Sequence, residues 1–247
     1  MTFAFLFFAN LVLITRLCCQ LQPSGVHWGR WGTKMGIELA ALALFEWHSW
    51  LLAAAATVIV MNVAGVLWEA LGWRRNTGHL ALGILYLLTL SVWFSPMFGL
   101  KFWPVIEQAA TAAGRWTAFE VIFHSSLTYR AMLTLFGLLV AMSEMNLAVR
   151  AVFDGLDLQP RMAESEEVDV VAYDRGRIIG FLERALAYLF VLAGNYLVVG
   201  LLLIAKVMIY NRRNEDRVTA EYGLIGTLLS AILSIAVAEL VKYLMTG

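Results

Sequence analysis

Cysteine, proline and histidine are scarce in this chain of 247 residues. It contains two cysteines, four prolines and four histidines. The cysteines, Cys18 and Cys19, are adjacent, so they are too few for a disulfide framework and lack the CxxC spacing of a zinc or redox site. We interpret both as plain thiols that face lipid or the protein core.

Excess charge of either sign is also missing. The chain has 18 basic and 18 acidic residues, a balance that gives no indication of the basic surface typical of nucleic-acid binding, and we predict no nucleic-acid partner. The GxGD, HExxH and GxSxG motifs of established enzymes do not occur. Whether the chain is an enzyme therefore stays open, with a non-enzymatic protein favoured, and the cofactor is unknown.

Apolar residues, by contrast, are abundant. They make up 61% of the chain while charged residues make up only 15%, and the mean hydropathy is +0.74. A soluble domain is about 45–50% apolar and about 25% charged. Because this excess has to face lipid, the composition predicts a multi-pass protein of the cell membrane.

Long apolar stretches follow one another along the chain. An α-helix needs about 20 residues to cross a hydrocarbon layer about 30 Å thick. We therefore predict an all-α, polytopic transmembrane protein with about six spans and a C-terminal helical hairpin. The predicted spans are residues 2–15, 50–68, 80–98, 131–142, 177–210 and 222–245.

Two interruptions refine this assignment. We predict a short or re-entrant helix over 34–45, which residues 46–50 separate from the following span, and we expect Pro96 to kink or end the span that contains it.

Three regions are predicted from these patterns: an N-terminal transmembrane region with interfacial or re-entrant helices, 1–153; an acidic soluble loop, 154–175; and a C-terminal transmembrane hairpin, 176–247. The loop up to Asp174 carries seven acidic residues against the single Arg161. It is either a solvated linker or a docking strip for a basic protein partner.

Ionisable residues inside apolar stretches need a partner, water or a function. Glu46 and His48 form one such group, and Glu120 and His124, four residues apart, would share one helix face. Together with Arg130 they are the candidates for an ion or metal site. The Glu120/His124 spacing fits a structural hydrogen bond, proton or ion handling, or a metal or haem ligand pair.

The hairpin contains candidate packing and charge residues. Small side chains spaced four apart allow close helix approach, and a buried amide would bond across an interface. The packing candidates are Gly176, Gly180, Asn195, Gly226, Ser230 and Ser234. The candidates for a charge network are Glu183, Arg184, Arg212, Arg213, Arg217 and Glu221.

Several ordered residues in this region also carry a resemblance. They are Gly176-Arg-Ile-Ile-Gly180, Leu182-Glu-Arg184, Gly194-Asn-Tyr196, Ala205-Lys206, Asp216-Arg217, and Ala220-Glu-Tyr222 followed by Leu224-Ile-Gly-Thr-Leu-Leu-Ser230. Residues 176–230 thereby resemble the C-terminal region of an uncharacterised family of bacterial polytopic inner-membrane proteins, with Asn195 where that family has Gln. The resemblance implies a bacterial inner-membrane location and supplies no activity.

Three functions are compatible with the sequence. The favoured one is a non-enzymatic integral membrane subunit, an oligomerising scaffold, sensor or pore component, which forms a homo-oligomer or belongs to a membrane complex. The second is an ion or small-solute transporter or channel that uses Glu46, His48, Glu120 and His124. The third is an intramembrane metal or haem protein.

Overall fold

A computed structural model of the chain describes residues 3–21, 28–71, 75–106, 108, 126–156, 170–213 and 217–246. These residues form nine α-helices of 12 or more residues and no β-sheet. The helices are α1 (Phe3–Leu21), α2 (Trp28–Leu42), α3 (Ser49–Leu71), α4 (Arg75–Trp93), α5 (Ser126–Met142), α6 (Glu144–Gly155), α7 (Val170–Leu192), α8 (Tyr196–Arg213) and α9 (Arg217–Thr246). The predicted all-α class is confirmed.

Four helical segments among the described residues are long and apolar enough to cross a membrane. They are Phe3–Gln20, Ser49–Leu71, Tyr129–Gly155 and Gly223–Thr246. Tyr196–Met208 is a shorter apolar helix. The expected number of about six spans is therefore not confirmed. The apolar, helical character of the chain is confirmed.

The chain divides into two units, Met1–Leu139 and Val140–Gly247, and the boundary falls inside α5. In the first unit α1 contacts α2 and α4, α2 contacts α3, and α3 contacts α4, which closes a ring of four helices. The helices α2 and α3 run antiparallel, because Trp31 and Lys34 contact Glu69 and Asn62 in reverse order. The helix α4 is antiparallel to α3, since Trp93 bonds to Thr57 and Gly78 faces Trp68, and to α1, since Phe94 packs on Phe8 and His79 accepts from Arg16. The first unit is therefore an up-and-down bundle of four helices.

The connection between α2 and α3 occupies one end of this bundle. Residues 43–48 are not helical, and the Glu46 amide donates to the Lys101 carbonyl at 2.9 Å. Phe45 stacks on Phe102 with ring centroids 4.5 Å apart and meets Phe94 edge-on at 5.2 Å. The predicted interruption near residue 46 is confirmed, and aromatic packing closes this end.

Two further turns follow from local sequence. The helix α4 ends at Trp93, three residues before Pro96, as a proline stop requires. The positive φ of Gly99, 62°, then turns the chain at the end of this segment. The role predicted for Pro96 is confirmed.

In the second unit α9 packs against α6, α7 and α8. Where α9 meets α6, Gly226 of α9 faces the Phe153 ring of α6. A Cβ atom at position 226 would lie only 3.0 Å from that ring, so glycine allows the close contact. The fully buried Tyr188 on α7 and Ala238 on α9 belong to the apolar core of this unit. Small residues on α9 thus give neighbouring side chains room to approach closely.

The single span predicted over 177–210 is wrong, because two helices cover that stretch. Gly194 has a φ of 78°, its amide donates to the Val191 carbonyl at 2.9 Å, and the Asn195 amide donates to the Phe190 carbonyl at 2.8 Å. This is the Schellman pattern that ends a helix with glycine in the left-handed conformation. After it, α8 folds back along α7, where Lys206 bonds to Glu183.

Candidate functional site

A buried ion pair lies inside the four-helix bundle of the first unit. Lys34 and Glu38 are one turn apart on α2, and their exposed fractions are 4% and 0%. Lys34 Nζ is 2.7 Å from Glu38 Oε1. Removing two charges from water costs several kcal/mol each, by order of magnitude, so such a pair persists only when further hydrogen bonds satisfy both groups.

The Glu38 carboxylate accepts hydrogen bonds from side chains of all four helices of the bundle. Thr15 Oγ1 on α1 donates to Oε1 at 2.8 Å, as does Lys34 at 2.7 Å. Asn62 Nδ2 on α3 donates to Oε2 at 2.7 Å, and the Tyr86 hydroxyl on α4 donates to it at 3.1 Å. A carboxylate offers about four acceptor positions, so this one is saturated.

The Lys34 ammonium has its own set of partners. Besides Glu38 it donates to Asn62 Oδ1 at 2.6 Å. Its nitrogen lies 5.6 Å from the ring centroid of Trp31 and 5.7 Å from that of Tyr86, within the range of a cation–π interaction. Two oxygens and two aromatic rings therefore surround the cation.

The Asn62 amide connects the two charges and is itself fixed by the backbone of α3. Its Nδ2 group donates both to Glu38 Oε2 and to the Val58 carbonyl, the latter at 2.9 Å, so both amide hydrogens are used. Its oxygen is then the group that faces Lys34. We call Thr15, Lys34, Glu38, Asn62 and Tyr86 the Lys34/Glu38 network.

A second polar layer continues from this network towards the end of the bundle where α3 ends and α4 begins. Trp31 Nε1 donates to Glu69 Oε2 at 2.8 Å, and the Trp31 ring stacks on His79 with centroids 6.2 Å apart. Arg16 Nη2 donates to the His79 carbonyl at 2.9 Å. Trp31 also lies directly over Gly65, where a Cβ atom would come within 2.7 Å of its ring. We call Arg16, Trp31, Glu69 and His79 the outer layer.

The ion-site candidates predicted from sequence lie elsewhere. Glu46 is half-buried and His48 is exposed, both in the connection between α2 and α3, and Arg130 is exposed near the start of α5. No side-chain hydrogen bond or ion pair joins these three within the described ranges. Glu120 and His124 lie outside those ranges, as does most of the acidic loop. Where side chains are described, no group of three metal-ligating residues occurs.

The charge-network candidates of the second unit separate into two groups. Glu183 on α7 pairs with Lys206 on α8. The neighbouring Arg184, 5% exposed, instead donates from Nη2 to Asn146 Oδ1 at 3.1 Å and from Nη1 to Ser230 Oγ at 3.4 Å. Arg184 thus links α7 to α6 and α9. The side chains of Arg212, Arg213, Arg217 and Glu221 lie outside the described part.

The packing candidates occupy different environments. Gly226 faces Phe153, and Ser230 accepts from Arg184, as described above, while the buried Ser234 donates to the Ser230 carbonyl at 2.9 Å. Gly180 lies beneath the Arg184 guanidinium: a Cβ atom on Gly180 would be 3.7 Å from Nη1 and Nη2 of Arg184. Gly176 lies within α7. Asn195 is exposed in the turn after α7, so the prediction that it supplies a buried amide to a helix interface is wrong.

The Lys34/Glu38 network is absent from the sequence-based candidates, although the sequence contains a signal for it. Lys34 and Glu38 stand four apart, the spacing at which opposite charges pair on a helix. Asn62 and Tyr86 are isolated polar groups in apolar stretches. The spacing of residues along the chain does not show which helices are neighbours. The meeting of these four side chains could therefore not be predicted from it.

Comparisons with known proteins identify no relatives. No protein-family model matches this chain, no curated protein matches its sequence, and no solved structure matches its fold. The resemblance of 176–230 to a bacterial membrane family therefore stays a prediction, and function has to be argued from the geometry.

Proposed function

We propose that this chain is a non-enzymatic integral membrane subunit, an oligomerising scaffold, sensor or pore component of a homo-oligomer or larger membrane complex. Four apolar helical segments support a multi-pass location in the membrane. The resemblance of residues 176–230 favours the bacterial inner membrane. The lipid bilayer is then the solvent of the exposed apolar faces.

The Glu38 carboxylate carries this proposal. A general base needs a free acceptor position within hydrogen-bond reach of the proton that it removes. In Glu38 four donors from α1, α2, α3 and α4 fill these positions. A group bonded in this way holds the bundle together, which is what a rigid membrane subunit requires.

Neutralising either member of the Lys34–Glu38 pair alone should destabilise the protein. Neutralising both should destabilise it by less than the sum of the two single substitutions. We expect Glu38→Gln or Lys34→Met alone to lower the free energy of unfolding by about 3–5 kcal/mol, because each leaves a buried charge without its partner. The double variant should lose less than the sum of the two. Melting of the purified protein and its mass in detergent measure stability and assembly together.

A control for burial is the more accessible pair on α9. Lys242 and Glu239 are 3.2 Å apart with side chains 29% and 48% exposed. The Tyr196 hydroxyl on α8 accepts from Lys242 and donates to Glu239, so Lys242→Met with Glu239→Gln removes these contacts too, but it should lower the melting temperature less than Glu38→Gln or Lys34→Met alone because solvent reaches the pair. Strict additivity of the two buried substitutions would refute a shared structural role for the Lys34/Glu38 network.

Cation or proton passage is the second candidate function, and the outer layer favours it. Trp31 and Glu38 are seven residues apart on α2, about 10 Å along the helix axis. The outer layer places Arg16, Glu69 and His79 around Trp31, whose ring lies 5.6 Å from Lys34 Nζ, so polar groups lie on both sides of that indole. Variants at Glu38 that assemble and melt normally but abolish flux in reconstituted vesicles would favour this function over the scaffold.

A further inference from the structure

The Lys34 ammonium lies in a cage that other residues build. Glu38 Oε1 and Asn62 Oδ1 accept two of its three hydrogens at 2.7 and 2.6 Å. The rings of Trp31 and Tyr86 lie 5.6 and 5.7 Å from the nitrogen. A carboxylate, an amide oxygen and aromatic faces are the groups that recognise ammonium ligands in proteins.

The cage walls are held by contacts that do not involve Lys34. Trp31 is fixed by its bond to Glu69 and its stacking on His79. The Glu38 carboxylate accepts from Thr15 on one oxygen and from Tyr86 on the other. Removing the Lys34 side chain would therefore empty the cage while leaving these contacts in place.

We propose that the space around Lys34 Nζ is a binding site for the primary ammonium group of a small monovalent cation, with Lys34 as its tethered occupant. A side chain anchored one turn from Glu38 is present at a high effective concentration. In the native chain it excludes free cations, and the site opens to them when the side chain is shortened. This binding property goes beyond the assembly role and does not depend on it.

The chemistry of the cage specifies the ligand class. The two oxygens require N–H donors, which a quaternary ammonium lacks, and the carboxylate requires a positive charge, which an alcohol lacks. n-Propylammonium reproduces the four heavy atoms that Lys34→Ala removes beyond Cβ. 1-Propanol has the same size without the charge, and tetramethylammonium has the charge without the donors.

Thermal melting of the full-length Lys34→Ala protein in detergent tests the proposal. The variant should melt below the native protein, and saturating n-propylammonium chloride should raise its melting temperature by about 2–4 °C. Tetramethylammonium chloride at the same ionic strength and 1-propanol at the same concentration should not. The native protein should not respond, because its cage is filled.

The variant Lys101→Ala is the matched control, since it removes an exposed lysine of the same unit. It should melt like the native protein with or without the amine. Adding Glu38→Gln to Lys34→Ala should abolish the response. An equal response to 1-propanol would show simple cavity filling and overturn the proposal, as would no response to the amine.

Accumulation provides a second measurement if Lys34→Ala is too unstable to purify. The amount in membranes should rise when cells grow with n-propylammonium, and Lys34→Ser should behave in the same way. Failure of both variants to respond would overturn the site. It would leave the coupled loss in the Glu38→Gln and Lys34→Met series unaffected, so the binding site and the assembly role fail separately.

Discussion

At the scale of single residues, the two polar layers depend on close packing as well as on charge. Trp31 bonds to Glu69 and forms one wall of the cage around Lys34, and it reaches both because Gly65 leaves room for its ring. A glycine in a helix interior is normally unfavourable by about 1 kcal/mol relative to alanine. Its presence at position 65 is explained by the indole that occupies the space.

Substitution of this glycine should therefore destabilise the first unit. In Gly65→Ala the new methyl group would lie 2.7 Å from the Trp31 ring, which is held in place by Glu69 and cannot move freely. We expect a loss of about 1–3 kcal/mol in the free energy of unfolding, as for overpacking in other cores. Thermal melting in detergent measures it.

Gly36→Ala is the control for this substitution, because a Cβ atom at Gly36, also in a helix, meets nothing within 4 Å. It should be neutral or slightly stabilising. Equal melting temperatures for the two variants would show that Trp31 is not confined by Gly65.

At the scale of elements, the turn between α7 and α8 decides how a long apolar stretch is used. Leu192 ends α7, Gly194 adopts a positive φ, and Tyr196 begins α8. The helix α8 then lies against α7. Lys206 in the second half of α8 forms an ion pair with Glu183 of α7. A stretch long enough for one crossing becomes two packed helices.

Replacing the turn glycine should weaken this arrangement. Gly194→Ala places a side chain in the left-handed conformation, which costs about 1–2 kcal/mol per residue, so the melting temperature should fall. Gly200→Ala, in α8 with nothing within 4 Å of the new Cβ, should preserve or raise it. A Gly194→Ala protein that melts at or above the native temperature would contradict the turn geometry.

At the scale of the whole molecule, each unit has its own polar centre. In the first unit it is the Lys34/Glu38 network, and in the second it is Arg184 with Asn146 and Ser230. Buried polar groups of this kind select one helix arrangement, because any other leaves donors or acceptors unpaired. Assembly of each unit is thus specified by a few bonds in a largely apolar interior.

The antiparallel bundle of the first unit makes a topological prediction. With Cys18 and Cys19 replaced by serine, single cysteines at positions 47 and 97 should react with an impermeant thiol reagent from one side of the membrane. Single cysteines at positions 29 and 77 should react from the other, because α2 and α4 begin at the end where α3 finishes. Right-side-out and inverted vesicles distinguish the two sides. Labelling of all four positions from one side would contradict a bundle that crosses the membrane.

Much of the local structure could be predicted from the sequence. Apolar stretches long enough to cross a membrane as helices indicate an all-α protein, the polar residues within 46–50 indicate a break, and Pro96 indicates a helix end. These features depend on the residues nearest in the chain, so they can be assigned without knowing any neighbour in space. The same reasoning missed the break at Gly194, since the residues around it are apolar enough to continue a helix.

The candidate site was decided by tertiary structure. Lys34 and Glu38 are neighbours by helical spacing, but Thr15, Asn62 and Tyr86 join them only because α1, α3 and α4 surround α2. Hydropathy does not report such contacts, since a residue that faces lipid and one that faces another helix are equally apolar. The sequence by itself determined that the chain forms apolar helices, and the packing of those helices determined which polar groups meet.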